Sequence, residues 1–415
     1  ACSKASVRMN NGGSASFVSH NGLLVTNHHV AESILQELSS EENNYVKNGF
    51  YAKTQADEVD APELEVNILW EIEDVTERVH GVSKPDMAPA DSFKARQAEI
   101  AMIEDESHKN TGMRSNVVTL YQGGKYHLYC FKKYTDVKLV FAPEYAIAGF
   151  GGDFDNYEFP RFNLDVAFFR VYDNGEPLTT PYFFKWESEN PQKGMFTFVS
   201  GHPGRTDRLS TLARILHLRD YGLPYQLNLL RRKEITLQQF AGRSLENKRK
   251  AHNDLHGVQN VRKRFLGQLH ALQDPDFIKQ KERSEHELRT KVATKAMQEA
   301  DGDAWDMVVG AEKRLLEIRN DVNLWEGGLA FDTKFFGIAR AILRLVEEDK
   351  KPNHERLPEF VDSSRDSLMQ RLLSPAPIYH DQEEYTLADS LALLAETLGF
   401  DDPMVRKVLD GQSPK

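Results

Sequence analysis

Cysteine is almost missing from this chain: Cys2 and Cys130 are the two in 415 residues. They allow at most one disulfide, and their spacing fits neither a metal site nor a redox motif, so both read as structural or free. Long apolar runs are missing too. No stretch approaches the roughly 20 residues that a bilayer-spanning helix needs, so no membrane span is expected. Large Lys/Arg clusters are absent, and the net charge is −11. An acidic chain without a basic face argues against nucleic acid as a partner. No internal repeat of fixed period is evident. Neither an initiator Met nor a signal peptide opens the sequence, since "ACSKASVRMNNGG" runs almost directly into a strand pattern. The other end, "DDPMVRKVLDGQSPK", stops at a Gly/Ser/Pro turn, and both ends read as cut.

What is present is ordinary globular composition, 40% hydrophobic and 28% charged, in a length that suits two or three domains. Two regimes divide it. Up to about Arg208 the sequence is strand-rich and punctuated by Gly, Pro and Asn. "NVVTLYQGGKYHLYCFKKYTDVKLVFAP" alternates apolar and polar residues around Gly123-Gly124, which predicts a hairpin. "VAFFRVYDNGEPL" and "FFKWESENPQKGMFTFVSGHPG" continue the strand style, and one helix is expected over roughly Ser92 to Glu106. From about Thr211 onward the pattern is helical, with a long amphipathic stretch in "FAGRSLENKRKAHNDLHGVQNVRKRFLGQLHALQD" and a Pro-led helix after it. The charge runs there read as solvated helix faces. The fold class is α+β: a β-rich region over residues 1–208 and an all-helical domain over 209–415.

Chemistry concentrates in two stretches. In "GGSASFVSHNGLLVTNHHV", Asn21-Gly22 marks a turn between two short strands, the second running into His28 and His29. This form resembles trypsin-like barrels, and the high-temperature-requirement type among them, whose register makes His29 the general base and His28 its packed or solvated neighbour. The second stretch, "AIAGFGGDFDNYEFPRFNLDVAFFRVYDNGEP", brings Asp165 to the start of an apolar strand. A buried carboxylate needs a partner, and a histidine Nδ1–H is the partner that a catalytic triad supplies. Metal chemistry fits poorly. "HHVAE" lacks the second His of a metallopeptidase helix, and "DFDNYE" lacks the Gly and Glu of a calcium loop. No cofactor or metal is therefore expected.

The stretches "NNGGSASFVSHNGLLVTNHHV", "GFGGDFDNYEFPRFNLDVAFFRVY" and "FVSGHPGRTDRLST" resemble the bacterial dipeptidyl-peptidase 7/11 family, serine peptidase family 46. So do "QNVRKRFLGQLHAL", "LWEGGLAFDTKFFGIARAILRL" and "SPAPIYHDQEEYTLADSLALL", which carries the likeness over nearly the whole chain. The resemblance implies a chymotrypsin-like double barrel with a large helical domain inserted between the barrels. It implies a serine-type exopeptidase that releases dipeptides from peptides with free N-termini, periplasmic or secreted, and it suggests a homodimer. The base maps to His29 and the orienting acid to Asp165. The substrate amine is taken by Asn156 and by Asn260, the latter in the family pattern N-x-x-K-x-x-x-G met by Asn260, Lys263 and Gly267. Neutral amide oxygens suit an ammonium. Tyr157 stands where well-known members have Trp, keeping an aromatic wall but adding a hydroxyl. The family's nucleophile lies in a G-N-S-G-S-P motif of the second barrel, and these residues contain none. Ser14 and Ser200, the glycine-flanked serines, read as turn residues. The expectation is a fragment: first barrel plus helical cap, inactive alone, belonging to an active enzyme. The alternative is a non-catalytic peptide-binding module. The side-chain preference at the scissile bond is not legible.

Overall fold

The computed structural model describes residues 1–150, 152–202, 207–293 and 304–414. Contacts divide the chain into two compact units. The first comprises Ala1–Gly151, Phe162–Gly204 and Ile338–Pro377; the second comprises Gly152–Arg161, Arg205–Gly337 and Ile378–Lys415. The architecture is α+β, as the two sequence regimes imply. The units follow the β-rich and helical regimes with two excursions. Residues 338–377 belong with the sheet, and the ten-residue piece Gly152–Arg161 belongs with the helices.

The first unit is built on one antiparallel sheet. Its strands are β1 Ser6–Met9, β2 Ser14–Phe17, β3 Leu23–Thr26, β4 Phe50–Tyr51, β5 Val59–Asp60 and β6 Val66–Asp74. They continue with β7 Arg114–Leu120, β8 Lys125–Tyr134, β9 Val137–Ala142, β10 Ala167–Asp173 and β11 Glu176–Pro177. The order is β4-β9-β10-β3-β2-β1-β6-β8-β7, with β5 beside β9 and β11 beside β10. Alternation sends every second residue inward. Met9, Phe17, Leu24, Leu139 and Phe169 are fully buried in one core, each worth about 1.5–3 kcal/mol of apolar burial. The hairpin expected around Gly123-Gly124 joins β7 to β8.

Gly22 closes the β2–β3 hairpin with φ +74°, and a Cβ there would lie 2.6 Å from the Val171 carbonyl oxygen. That oxygen belongs to β10, which packs close because Val171 N–H donates to the Gly22 carbonyl at 3.0 Å. Only glycine combines that φ with that approach.

Two expectations need correction. The helix begins at Pro89 and ends at Thr111, capped by Gly112 at φ +67°, longer at both ends than apolar spacing shows because its terminal turns are polar. The stretch "FFKWESENPQKGMFTFVSGHPG" contains no strand among its described residues, and residues 203 and 204 lie outside them. Isolated bonds from Thr180 N–H to the His20 carbonyl and from Phe184 N–H to the Phe17 carbonyl do not make a ladder. Cys2 is exposed, Cys130 is buried, and both are free thiols.

In the second unit, Ser244 caps the helix Leu245–Leu272 by accepting from Asn247 N–H at 3.0 Å. That cap and the end of helix Leu223–Ala241 split what reads in sequence as one amphipathic stretch. Leu237 and Phe240 bury against Ala251 and Val258 to join these two helices. Leu324, Ala330, Leu394 and Val405 form a second core among the later helices. Among the described residues no helix is long and apolar enough to cross a membrane.

Candidate active site

In the first unit, β3 ends at Thr26 and Asn27 stands at the cap of helix His28–Leu38. Both histidines therefore sit in the first helical turn rather than at a strand end, which is what a sequence reading of "LLVTNHHV" misses. The Asn before the pair is a cap residue by type, and that signal was available. β10 pairs with β3 in the register Ala167↔Thr26 and Phe169↔Leu24, so Asp165 precedes the strand end that faces Asn27.

Asp165 is gripped from several sides. Its Oδ2 lies 2.7 Å from His29 Nδ1 and accepts from Asn27 Nδ2 at 3.0 Å. Its Oδ1 accepts the backbone N–H of His29 at 3.0 Å, a carboxylate at a helix N-terminus, where the dipole favours it. Burial opposes ionisation, but the bonds from the His29 ring and amide and from Asn27 outweigh it, holding the carboxyl below its ordinary 3.8. The His29 side chain is 44% exposed, and its Nε2 has no partner among the described residues. Phe150 lies against it, ring centroids 5.3 Å apart. Phe150 has φ +60°, an uncommon conformation for a bulky residue, and no sequence pattern singled it out.

His28 is 1% exposed. Its buried Nε2 has no hydrogen-bond partner among the described residues. Burial pushes its pKa below 6.5 despite the nearby Glu32 carboxylate. It is the packed neighbour. Ser14 Oγ accepts from His202 N–H at 2.7 Å, and the Ser200 and Ser6 hydroxyls bond each other. Neither Ser14 nor Ser200 is hydrogen-bonded to His29 among the described residues.

The second unit holds the amides. Asn156, 3% exposed, donates from Nδ2 to Asn260 Oδ1 at 2.9 Å across 104 positions of sequence. Arg161 donates to Asn156 Oδ1 at 3.2 Å. Tyr157 follows with φ +65° and an exposed ring, beside the exposed Phe154 and Phe159. Asn260 and Lys263 are three residues apart and share a helix face. Gly267 has open space among the described residues where a Cβ would stand, so their packing does not require the glycine. Arg161 carried no signal in the sequence. Among the described residues no group of three or more His, Cys, Asp or Glu could hold a metal.

A family model described as Peptidase S46 matches residues 1–415. The chain is 30% identical over 231 residues to dipeptidyl-peptidase 7 of Capnocytophaga gingivalis, covering 53% of this chain and 32% of that protein. It is 24% identical over 358 residues to dipeptidyl-peptidase 7 of Phocaeicola vulgatus, covering 80% and 49%. Against the Asp/Glu-specific dipeptidyl-peptidase of Porphyromonas endodontalis it is 34% identical over 225 residues, covering 50% and 31%. The matched stretches thus span about a third to a half of the relatives' length. The crystal structure of Porphyromonas endodontalis DPP11 in complex with the dipeptide Arg-Glu superposes with a TM-score of 0.74 at 22% identity, over 99% of this chain and 61% of that one.

Proposed function

The chain belongs to peptidase family S46, and from that membership we propose that it carries the general base, the orienting acid and the amine-binding amides of a serine-type dipeptidyl-peptidase. The observation that carries this is the 2.7 Å contact of His29 Nδ1 with Asp165, which leaves Nε2 open. Asp165 fixes the tautomer with the proton on Nδ1, so Nε2 has a lone pair to accept one from a serine. The serine attacks the scissile carbonyl, backbone N–H groups hold the oxyanion, and the C–N bond breaks as His29 passes the serine proton to the departing amine of the shortened peptide. Water, deprotonated by His29, then hydrolyses the ester and releases the dipeptide. The nucleophile is supplied by sequence outside these 415 residues, in a second barrel. The sheet of the first unit is the first chymotrypsin-like barrel. A periplasmic or secreted location and a homodimer belong to the same proposal.

Asn156 and Asn260 take the substrate ammonium, with Tyr157 as an aromatic wall. Each amide oxygen already accepts one hydrogen bond, from Arg161 and from Asn156 respectively. A second lone pair remains on each. Holding the amino terminus fixes which peptide bond meets the nucleophile, and that is how a dipeptide length is selected.

The test is an assay of the 415-residue chain with trialanine amide and its N-acetyl derivative. We expect it to bind the free-amine peptide in preference and to release no dipeptide. Dipeptide release abolished by Ser14→Ala or Ser200→Ala would overturn the assignment of the nucleophile. Equal affinity for both peptides would remove Asn156 and Asn260 from amine binding. Binding without turnover even when the serine-bearing remainder is restored would favour a non-catalytic peptide-binding module.

A further inference from the structure

We infer that Lys263 is a positioning residue for Asn156, fixing its carboxamide where Asn260 can share a ligand with it. The inference rests on the amine-site reading above. The Lys263 ammonium donates to three carbonyl oxygens of one short segment: Asp153, Phe154 at 2.8 Å and Asn156 at 2.7 Å. An ammonium has three donors, and all three are used.

The segment needs that clamp. Helix Gly152–Asp155 is one turn long, so most of its carbonyls have no acceptor role within it. A cation at the carbonyl end of a helical turn also suits the dipole. Directly beyond, Tyr157 turns the chain at φ +65°, so little regular structure holds the Asn156 backbone from that side. Lys263 supplies the hold from helix Leu245–Leu272, three residues from Asn260 and on the same face. One helix face therefore fixes Asn156 twice, the main chain through Lys263 and the side chain through Asn260 Oδ1. With Arg161 on Asn156 Oδ1, the carbonyl and both amide heavy atoms of Asn156 each have a defined partner. Neighbouring Arg262 pins the same segment by pairing with Asp153 Oδ2 at 2.9 Å. That bond anchors a side chain and leaves the carbonyls to Lys263.

Lys263→Met keeps the stem and removes the donors. Two readouts on the full chain decide the matter. By titration calorimetry, the preference for trialanine amide over its N-acetyl derivative should fall at least tenfold. By amide hydrogen exchange, residues 153–158 should exchange at least tenfold faster while helix Leu245–Leu272 keeps its protection. An unchanged preference with unchanged exchange would overturn the inference. Loss of protection along the whole helix, or failure of the variant to fold, would show Lys263 to be a general stability residue and overturn it equally. If the unaltered chain shows no preference between the peptides, the amine reading fails instead. Exchange alone then decides whether Lys263 positions the segment.

Discussion

His28 and His29 are adjacent, yet the fold gives them opposite surroundings, and pH should separate them. Burial holds the His28 pKa below 6.5, so the unfolded chain binds the extra proton in the window between the folded value and 6.5. Stability therefore falls as pH drops through that window. His202, held low by burial and by Arg8, acts with the same sign. Asp165 works in another window: its stabilisation is present above 3.8 and is lost as pH falls through its lower folded value. We expect the urea midpoint to fall between pH 7.5 and 5.5. His28→Gln, which cannot take up a proton in that range, should flatten the slope without removing the His202 share. An equal slope in the variant would mean that His28 titrates normally. The pairing of His29 with Asp165 was legible as chain order and residue type. Asn27 offered its cap type but not its bond to Asp165, and Phe150 and Arg161 offered nothing, because these contacts are made only after folding.

Elements were legible where the hydrophobic period and the punctuation agreed. β7 and β8 flank two glycines in a strand-rich composition, and the helix at Pro275 opens on its own start signal. Reading failed where composition and partners disagreed. Residues 183–199 are apolar enough for a strand but make only an isolated bond to β2 and no ladder, and the helix starting at His28 hides behind a β-branched run. Asn156 meets Asn260 through tertiary contacts that no local pattern encodes, so only the resemblance pointed to the pair. Two glycines provide a contrast at this scale. Gly22→Ala sets a Cβ 2.6 Å from a strand carbonyl at positive φ, and should cost about 1–3 kcal/mol. Gly267→Ala meets nothing within 4 Å in a helix interior, and should stabilise by about 0.5–1 kcal/mol. Chemical denaturation of both variants checks the signs.

At the scale of the molecule, charge keeps copies apart and exposed apolar groups draw them together. The net charge of −11 at pH 7 falls to zero near pH 5.7. Phe196 is 89% exposed and Val199 fully so, with Phe198 and Met195 beside them. As repulsion fades, that patch should drive association. Light scattering from pH 8 to 5.5 should rise steeply near the lower end, and Phe196→Ser with Phe198→Ser should delay the rise. A profile unmoved by those substitutions would place the contact elsewhere. The pairing of β10 with β3 has a different consequence, for how such a chain tolerates change over generations. His29 and Asp165 lie 136 positions apart, but their spacing is set by Thr26 facing Ala167 across one ladder. Insertions and deletions among the intervening residues leave that distance alone as long as the two strands keep their register. The sheet is a ruler that does not count the residues looped out between its marks, so the loops between the intervening strands are free to lengthen and shorten, while those strands and core residues such as Leu139 are held by the sheet itself.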